Sequence, residues 1–110
     1  MVYRLRIYRA VPEKLAAFHQ FFREHLLPVQ LRHGARLVGR WETEDARVVA
    51  IWEYDSAEAY ENVRRAVSAD PDAVRAQQHR RALDPLFTEC EEVMMVSTLA
   101  GTRAAERLAR

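Results

Sequence analysis

The chain has 110 residues, of which 49% are hydrophobic and 30% are charged, a balance that is typical of one folded domain and excludes a protein that is disordered as a whole. Its seventeen basic and sixteen acidic residues leave a net charge of +1, which excludes the basic excess on which nucleic-acid and membrane-surface binders depend. The single cysteine, Cys90, excludes an internal disulfide, and no apolar run approaches the roughly twenty residues of a membrane span. We therefore expect a cytoplasmic protein with no nucleic-acid and no membrane partner.

The first predicted element is a strand over residues 2–8, because its side chains alternate between two faces. The more apolar face carries Tyr3, Leu5 and Ile7. The opposite face carries Arg4, Arg6 and Tyr8. We expect the helices to cover the first of these faces.

A helix is predicted after this strand, beginning at Pro12, since proline is favoured in the first turn of a helix. Its apolar stripe follows helical spacing through Leu15, Phe18, Phe22, Leu26 and Val29. Pro28 lies inside this pattern and should kink the helix or end its regular part. His33 followed by Gly34 predicts the end of the helix, because glycine adopts a left-handed backbone readily.

Two further strands are predicted over residues 36–43 and 47–54, joined by a tight turn near Asp45. We expect one apolar face made of Leu37, Gly39, Trp41, Val49 and Ile51. The other face would carry Val38, Arg40, Glu42, Ala50, Trp52 and Tyr54. This register requires a three-residue loop or a bulge, because a two-residue loop would place odd-numbered residues of one strand opposite even-numbered residues of the other.

The second half of the chain is predicted to contain two helical pieces and a strand. Ser56 is a suitable N-cap for the first piece. Asp70 and Pro71 begin the second piece, which should end before Pro85. Residues 89–99 read as the last strand, so we expect a domain over residues 1–99 and a tail over residues 100–110 that is a frayed helix or disordered.

The predicted order of elements is that of an α+β, ferredoxin-like βαββαβ fold, with a four-stranded antiparallel sheet and the helices on one face. The uncovered face would then expose Tyr8, Val38, Trp52 and Tyr54. Side chains of this size need a cover, and a second copy of the sheet about a two-fold axis is the simplest one. The sequence therefore predicts a homodimer that forms a dimeric α/β barrel.

Several segments of the chain are similar to the conserved segments of one known family. Residues 3–8 are similar to its Tyr-x-Leu-Arg-x-Tyr start, and residues 51–56 to its Trp-x-Tyr-Asp-Ser step from strand to helix. The other matching segments are Pro28 before His33-Gly34, residues 37–41, Arg64-Arg65 and Asp70-Pro71. With these segments in this order along the chain, residues 1–99 resemble the NIPSNAP family of the dimeric α/β-barrel superfamily. The resemblance implies the fold and the dimer, and it implies no single activity.

The chain departs from the family that it resembles at three places. Ala50 stands where many relatives carry a histidine, and Tyr60 stands where they often carry an arginine. The hairpin around Asp45 is also shorter. Any chemical role that this histidine serves in relatives would therefore be missing here.

The face that we expect to line the barrel lumen supplies the candidate ligand-binding residues. They are Arg6, Tyr8, Arg40, Glu42, Trp52 and Tyr54. In a partly dry cavity, arginine can hold a carboxylate by two hydrogen bonds, while tyrosine and tryptophan form an apolar wall. The alternative is structural: the two arginines would pair with Glu42 or Glu92 and stabilise the barrel.

No metal and no cofactor are predicted, because no two histidines have ligand spacing along the chain. We expect His19 to face solvent, His25 to lie at the edge of the apolar stripe and His33 to end the helix. His79 resembles, in its place on the later helix, a histidine that matters in some haem-degrading barrels of the superfamily. The solvent-exposed edge of the last strand is expected to carry Glu89, Glu91 and Glu92.

Three functions stay open from the sequence. The first is binding of a small apolar or anionic organic molecule in the barrel cavity, with or without cofactor-independent catalysis. The second is an enzyme similar to antibiotic-biosynthesis monooxygenases, cofactor-free or haem-degrading, and the third is a non-catalytic dimeric interaction module. An open, lined cavity would favour binding, whereas a lumen filled by Trp52, Tyr54 and the arginines would favour the interaction module.

Overall fold

The computed structural model describes residues 1–99, in which four strands form one antiparallel sheet and helices cover one of its faces. The strands are β1 (Val2–Ala10), β2 (Arg36–Glu42), β3 (Arg47–Tyr54) and β4 (Phe87–Val96), in the spatial order β2-β3-β1-β4. The helices are α1 (Leu15–Phe21), α2 (Leu27–Arg32), α3 (Ala57–Ala69) and α4 (Pro71–Leu83). This confirms the predicted α+β, ferredoxin-like arrangement. The tail predicted for residues 100–110 lies outside the described residues.

The ends of the elements follow their capping residues. Ser56 accepts a hydrogen bond from the Ala59 N–H at 3.0 Å and begins α3 as predicted. β4 lies earlier than the predicted 89–99, because Phe87 already pairs with Ala10 across a bulge. None of the helices within residues 1–99 has the length and apolar character needed to cross a membrane.

The helical segment after β1 is continuous but irregular, as Pro28 predicts. α1 passes into a π-helical turn, Phe22–Leu26, which passes into α2. Pro28 lies in the first turn of α2, where its missing N–H leaves a preceding carbonyl without its helical partner. The wider π turn accommodates this defect just before the proline. Gly34 then adopts a φ of +101° and ends the segment.

The β2–β3 hairpin contains both irregularities that the predicted register allows. The Thr43 N–H donates to the Arg47 carbonyl at 2.8 Å and closes a three-residue loop. A bulge between Leu37 and Gly39 places Leu37 on the same face as Trp52, whereas the prediction grouped it with Val49 and Ile51. Beyond the bulge the predicted apolar face is confirmed, and it carries Gly39, Trp41, Val49 and Ile51.

The helices cover the opposite sheet face from the one that the sequence predicts. They pack on the face of Arg6 and Tyr8. Leu5 and Ile7 lie on the face without helices. All six candidate residues therefore belong to the helix-covered face rather than to the face available to a barrel lumen. They are Arg6, Tyr8, Arg40, Glu42, Trp52 and Tyr54.

The large side chains of β3 explain why this face is buried. Val48, Trp52 and Tyr54 are each no more than 4% exposed and pack against the helices. The register pairs Trp52 with Arg4 and Val48 with Tyr8, so burial of β3 brings the β1 arginines under the helices as well. The pattern of β1 alone favours the wrong face, because an arginine stem can pack against apolar surface while its guanidinium stays in polar surroundings.

The helix–sheet core consists of two apolar clusters. The first contains Ala10, Phe18, Phe21, Val48, Ala76 and Leu86. The second contains Phe22, Ala35, Trp52, Tyr54 and Val63. The clusters join β3 to every part of the helical layer, which fixes the position of the helices over the sheet.

Asp70 joins α2 to the start of α4. Its Oδ1 accepts from the Asp72 N–H at 2.8 Å, and its Oδ2 accepts from Arg32 and from His33, each at 2.7 Å. The hydrogen bond from His33, with a smaller contribution from Arg32, holds the pKa of the Asp70 carboxyl below its usual value against the effect of burial. Asp70 is therefore the predicted helix cap and also an ion-pair centre.

We expect Asp70→Asn to lower the Tm near pH 5, because asparagine keeps a capping oxygen but loses the charge that attracts Arg32 and His33. The folded-state pKa of Asp70 lies below its unfolded value of about 4, so the ionised carboxylate stabilises the fold fully above that value. Its contribution is lost as the pH falls through the folded pKa. Melting curves of both proteins between about pH 5 and pH 2 should show the Tm difference shrinking, and a constant difference would contradict this account.

Candidate functional site

One cavity, of about 190 Å³, lies between the helix-covered sheet face and the helices. Its floor is formed by Arg4, Arg6, Tyr8 and Trp52 of β1 and β3. Its walls include Phe18, Phe22, Leu26, Gln30, Arg80 and Phe87. The site therefore combines aromatic walls with three arginines, and we call it the sheet cavity.

A second cavity, of about 350 Å³, lies between α3 and α4 and shares Arg4, Gln30 and Gln77 with the sheet cavity. Its other polar lining residues include Tyr60, Arg64 and Ser68. The two cavities meet at Arg4. A ligand larger than one aromatic ring could therefore extend from the sheet cavity into this second space.

Glu92 of β4 is the carboxylate partner of the cavity arginines. Its Oε1 accepts from Arg4 Nε at 2.7 Å and from the Tyr60 hydroxyl at 3.3 Å, and its Oε2 lies 3.7 Å from Arg6 Nη1. Burial raises the pKa of the Glu92 carboxyl, but the charge of Arg4, with smaller contributions from Arg6 and Tyr60, outweighs it and holds the pKa below its usual value. Glu92 is therefore ionised at neutral pH.

Arg6 has much of its hydrogen-bonding capacity unused. Its Nη2 donates to Cys90 Sγ at 2.9 Å, and its guanidinium lies 5.2 Å from the centre of the Tyr8 ring. Its buried Nε has no hydrogen-bond partner among the described residues. A buried donor without an acceptor is unfavourable, so this guanidinium has capacity for a further acceptor.

Arg40 and Glu42 belong to a separate cluster at the β2 edge. The Arg40 guanidinium lies over the rings of Phe18 and Phe22, at 4.9 and 4.2 Å, and Nη1 contacts His19 Nδ1 at 2.7 Å. Because arginine only donates, Nδ1 must accept, and His19 Nε2–H then donates to Glu42 at 2.7 Å. Burial lowers the pKa of Arg40 to about 10, so it stays charged at neutral pH.

The structure thus divides the six predicted residues among three places. Arg6, Tyr8 and Trp52 line the sheet cavity. Tyr54 lines the cavity between α3 and α4. Arg40 and Glu42 lie apart with His19, which is half-buried rather than solvent-facing as predicted.

Sequence reasoning missed Arg4, Tyr60 and Arg80 as site residues, and it assigned Glu92 mainly to a solvent-exposed strand edge. Arg4 could have been found, because alternation along β1 places it on the same face as Arg6 and Tyr8. Tyr60 follows the α3 cap by one turn and is brought to Glu92 only by the packing of α3 on the sheet. Burial raises the pKa of Tyr8, Tyr54 and Tyr60, so these hydroxyls are neutral and can donate.

Two histidines far apart in sequence meet on the helical layer. The rings of His25 and His79 are 4.3 Å apart, and the His79 ring also stacks on Phe21. Spacing along the chain gives no sign of this contact. Within residues 1–99 no group of three or more histidine, cysteine, aspartate or glutamate side chains is placed to hold a metal ion.

A family model described as NIPSNAP matches residues 3–98. The chain belongs to the NIPSNAP family. The match confirms the resemblance that residues 3–8 and 51–56 carry, and it covers β1 to β4 of this NIPSNAP domain. A comparison with curated proteins finds no match.

Solved structures share the fold of this NIPSNAP domain. An uncharacterized NIPSNAP domain protein from Burkholderia xenovorans is 26% identical, with a TM-score of 0.76 over 93% of this chain and 97% of that chain. Protein Atu4242 from Agrobacterium tumefaciens is 24% identical, with a TM-score of 0.78 over 93% and 96%. A Nitrosomonas europaea protein, proposed to be an antibiotic biosynthesis monooxygenase, is 12% identical, with a TM-score of 0.65 over 89% and 99%. The last two likenesses show the fold alone.

Proposed function

We propose that this NIPSNAP protein binds a small organic anion with an apolar body in the sheet cavity. The observation that carries the proposal is Arg6, whose buried Nε has no partner among the described residues and whose guanidinium borders an aromatic cavity. Two arginines of that cavity, Arg4 and Arg6, share the single carboxylate of Glu92, so the local charge favours an anion. The third arginine, Arg80, is paired with Asp84 at 3.2 Å.

The cavity volume supports binding over a purely structural role. An apolar cavity of about 150 Å³ can hold one benzene ring, and the sheet cavity measures about 190 Å³. Phe22 and Trp52 can contact the apolar part of a ligand while Arg6 contacts its acid group. The ligand class is therefore an aromatic or short aliphatic acid held between sheet and helices, not in a barrel lumen.

We expect Arg6→Ala to weaken binding of benzoate or phenylacetate about ten- to a hundredfold, since one charge-assisted contact contributes roughly 1.5–3 kcal/mol. The fold should change little, because Arg4 rather than Arg6 holds Glu92 by a hydrogen bond. Calorimetric titration and the Tm shift caused by each acid measure the effect.

Arg9→Ala is the matched control for Arg6→Ala. Arg9 lies on the same strand but on the helix-free face, where it pairs with Glu89 at 3.2 Å. We expect this variant to bind the acids as wild type does. If no acid of the panel binds or stabilises the wild-type protein, the proposed function is wrong.

The helix-free face supports a second proposal, that two copies of the chain pack sheet to sheet. Its middle is apolar, and Trp41 and Val93 are 50% and 40% exposed. Its ends carry the ion pairs Arg36–Glu53 at 2.7 Å and Arg9–Glu89 at 3.2 Å. An apolar centre with a charged rim is typical of protein interfaces, and a two-fold axis lets the same face cover itself.

A further inference from the structure

Three donors from two elements converge beside Arg4, where the sheet cavity meets the cavity between α3 and α4. They are Arg4 Nε, Arg6 Nη1 and the Tyr60 hydroxyl, and the carboxylate of Glu92 lies among them at 2.7, 3.7 and 3.3 Å. Convergent donors of this kind form a carboxylate-binding site. In the structure, the Glu92 side chain of the protein itself fills this site.

Glu92 fits this site poorly. Its contact with Arg4 uses one oxygen and one nitrogen, and its second oxygen is too far from Arg6 for a hydrogen bond. A bidentate pair of two parallel hydrogen bonds would be stronger. The side chain is 39% exposed and comes from β4, which is an edge strand, so it can turn towards solvent without disturbing the sheet.

We propose that Glu92 is an internal competitor, which occupies the acid-binding site beside Arg4 until the carboxylate of a ligand displaces it. This inference rests on the proposed function and adds the ligand's anchoring atoms: the carboxylate binds Arg4, Arg6 and Tyr60, and the apolar body lies towards Trp52 and Phe22.

Glu92 partly neutralises the charge of Arg4 and Arg6 when no ligand is bound. Two half-buried guanidinium groups without a counter-charge would destabilise the fold, and Glu92 supplies that charge when no ligand is present. It also selects for charge, because a neutral ligand of the same shape cannot replace a carboxylate between two arginines. The cost is a lower affinity for acids, since each acid must first displace Glu92.

Removal of the Glu92 charge tests the inference, with benzoate and the neutral benzamide as probes. We expect Glu92→Gln to bind benzoate about tenfold more tightly than wild type in calorimetric titration, and to melt at a lower temperature without ligand. Benzamide affinity should not rise. Glu91→Gln, which makes the same charge change on the helix-free face, should bind benzoate as wild type does.

Glu92→Asp separates displacement from net charge. Aspartate keeps the charge of the chain but is one methylene too short to reach Arg4, so benzoate should again bind more tightly than in wild type. If wild type binds benzoate and neither Glu92 variant binds it more tightly, the competitor role is wrong and the proposed binding function stands. If wild type and every variant fail to bind benzoate and the wider acid panel, the proposed function fails, and this inference fails with it.

Discussion

Trp52→Ala is expected to lower the free energy of unfolding by about 3–5 kcal/mol, the range for truncating a large buried aromatic side chain. Trp52 is 4% exposed, and its ring centre lies 6.0 Å from that of Phe22 beneath the helices. The substitution leaves a space beside Arg4, which faces Trp52 across the β1–β3 ladder. For a chain of 110 residues this loss is a large part of the total stability, so the variant should unfold at much lower urea concentrations.

Trp41→Ala is the matched control for Trp52→Ala. Trp41 lies on the helix-free face and is 50% exposed, so its truncation should cost about 1 kcal/mol or less in the isolated subunit. Both variants should be unfolded in urea at the lowest usable protein concentration, where association contributes least. Equal losses for the two tryptophans would contradict the face assignment.

Ile51→Glu is expected to convert a dimer into a monomer. Ile51 lies at the middle of the helix-free face, between Leu5 of β1 and Gly39 of β2. In a sheet-to-sheet dimer two new carboxylates would be buried near the two-fold axis without partners, which costs several kcal/mol. The dissociation constant should rise at least about a hundredfold. Light scattering at about 10 μM should then show the monomer mass.

The control for Ile51→Glu adds the same charge to the helical layer. Ala82 is exposed near the end of α4, and Ala82→Glu should keep the mass of the wild-type protein. Circular dichroism should show that both variants keep the wild-type secondary structure. A wild-type protein that is monomeric at this concentration would show that the apolar sheet face is not a dimer interface.

The elements of the fold could be predicted from local patterns. Period-two alternation locates β1 and β3, and the caps Ser56 and Asp70 begin α3 and α4 where the structure has them. Pro28 indicates the irregular turn after α1. These signals act over a few residues, through backbone geometry and capping hydrogen bonds, so a single sequence is enough to interpret them.

The candidate site could be predicted only in part, because its residues come from different elements. The parity of β1 places Arg6 with Tyr8, and both do line the sheet cavity. Alternation along β2 places Arg40 on the same sheet face. Its guanidinium nevertheless has a different environment, because Phe18 and Phe22 pack over it. No pattern along the chain relates Glu92 to Tyr60 or His25 to His79.

The sequence by itself determined the order of the elements and the antiparallel sheet, since both depend on short-range spacing. It also determined the family, through the segments that resemble NIPSNAP proteins. Tertiary structure decided which face of the sheet the helices cover. Both faces of β1 are partly apolar, so alternation leaves two solutions, and the combined burial of Trp52 and Tyr54 of β3 against the helices selects one of them. That choice puts the arginines of β1 beneath the helices and leaves the face of Leu5 and Ile7 uncovered. The candidate site therefore lies between sheet and helices because hydrophobic burial is a property of the whole layer rather than of one strand.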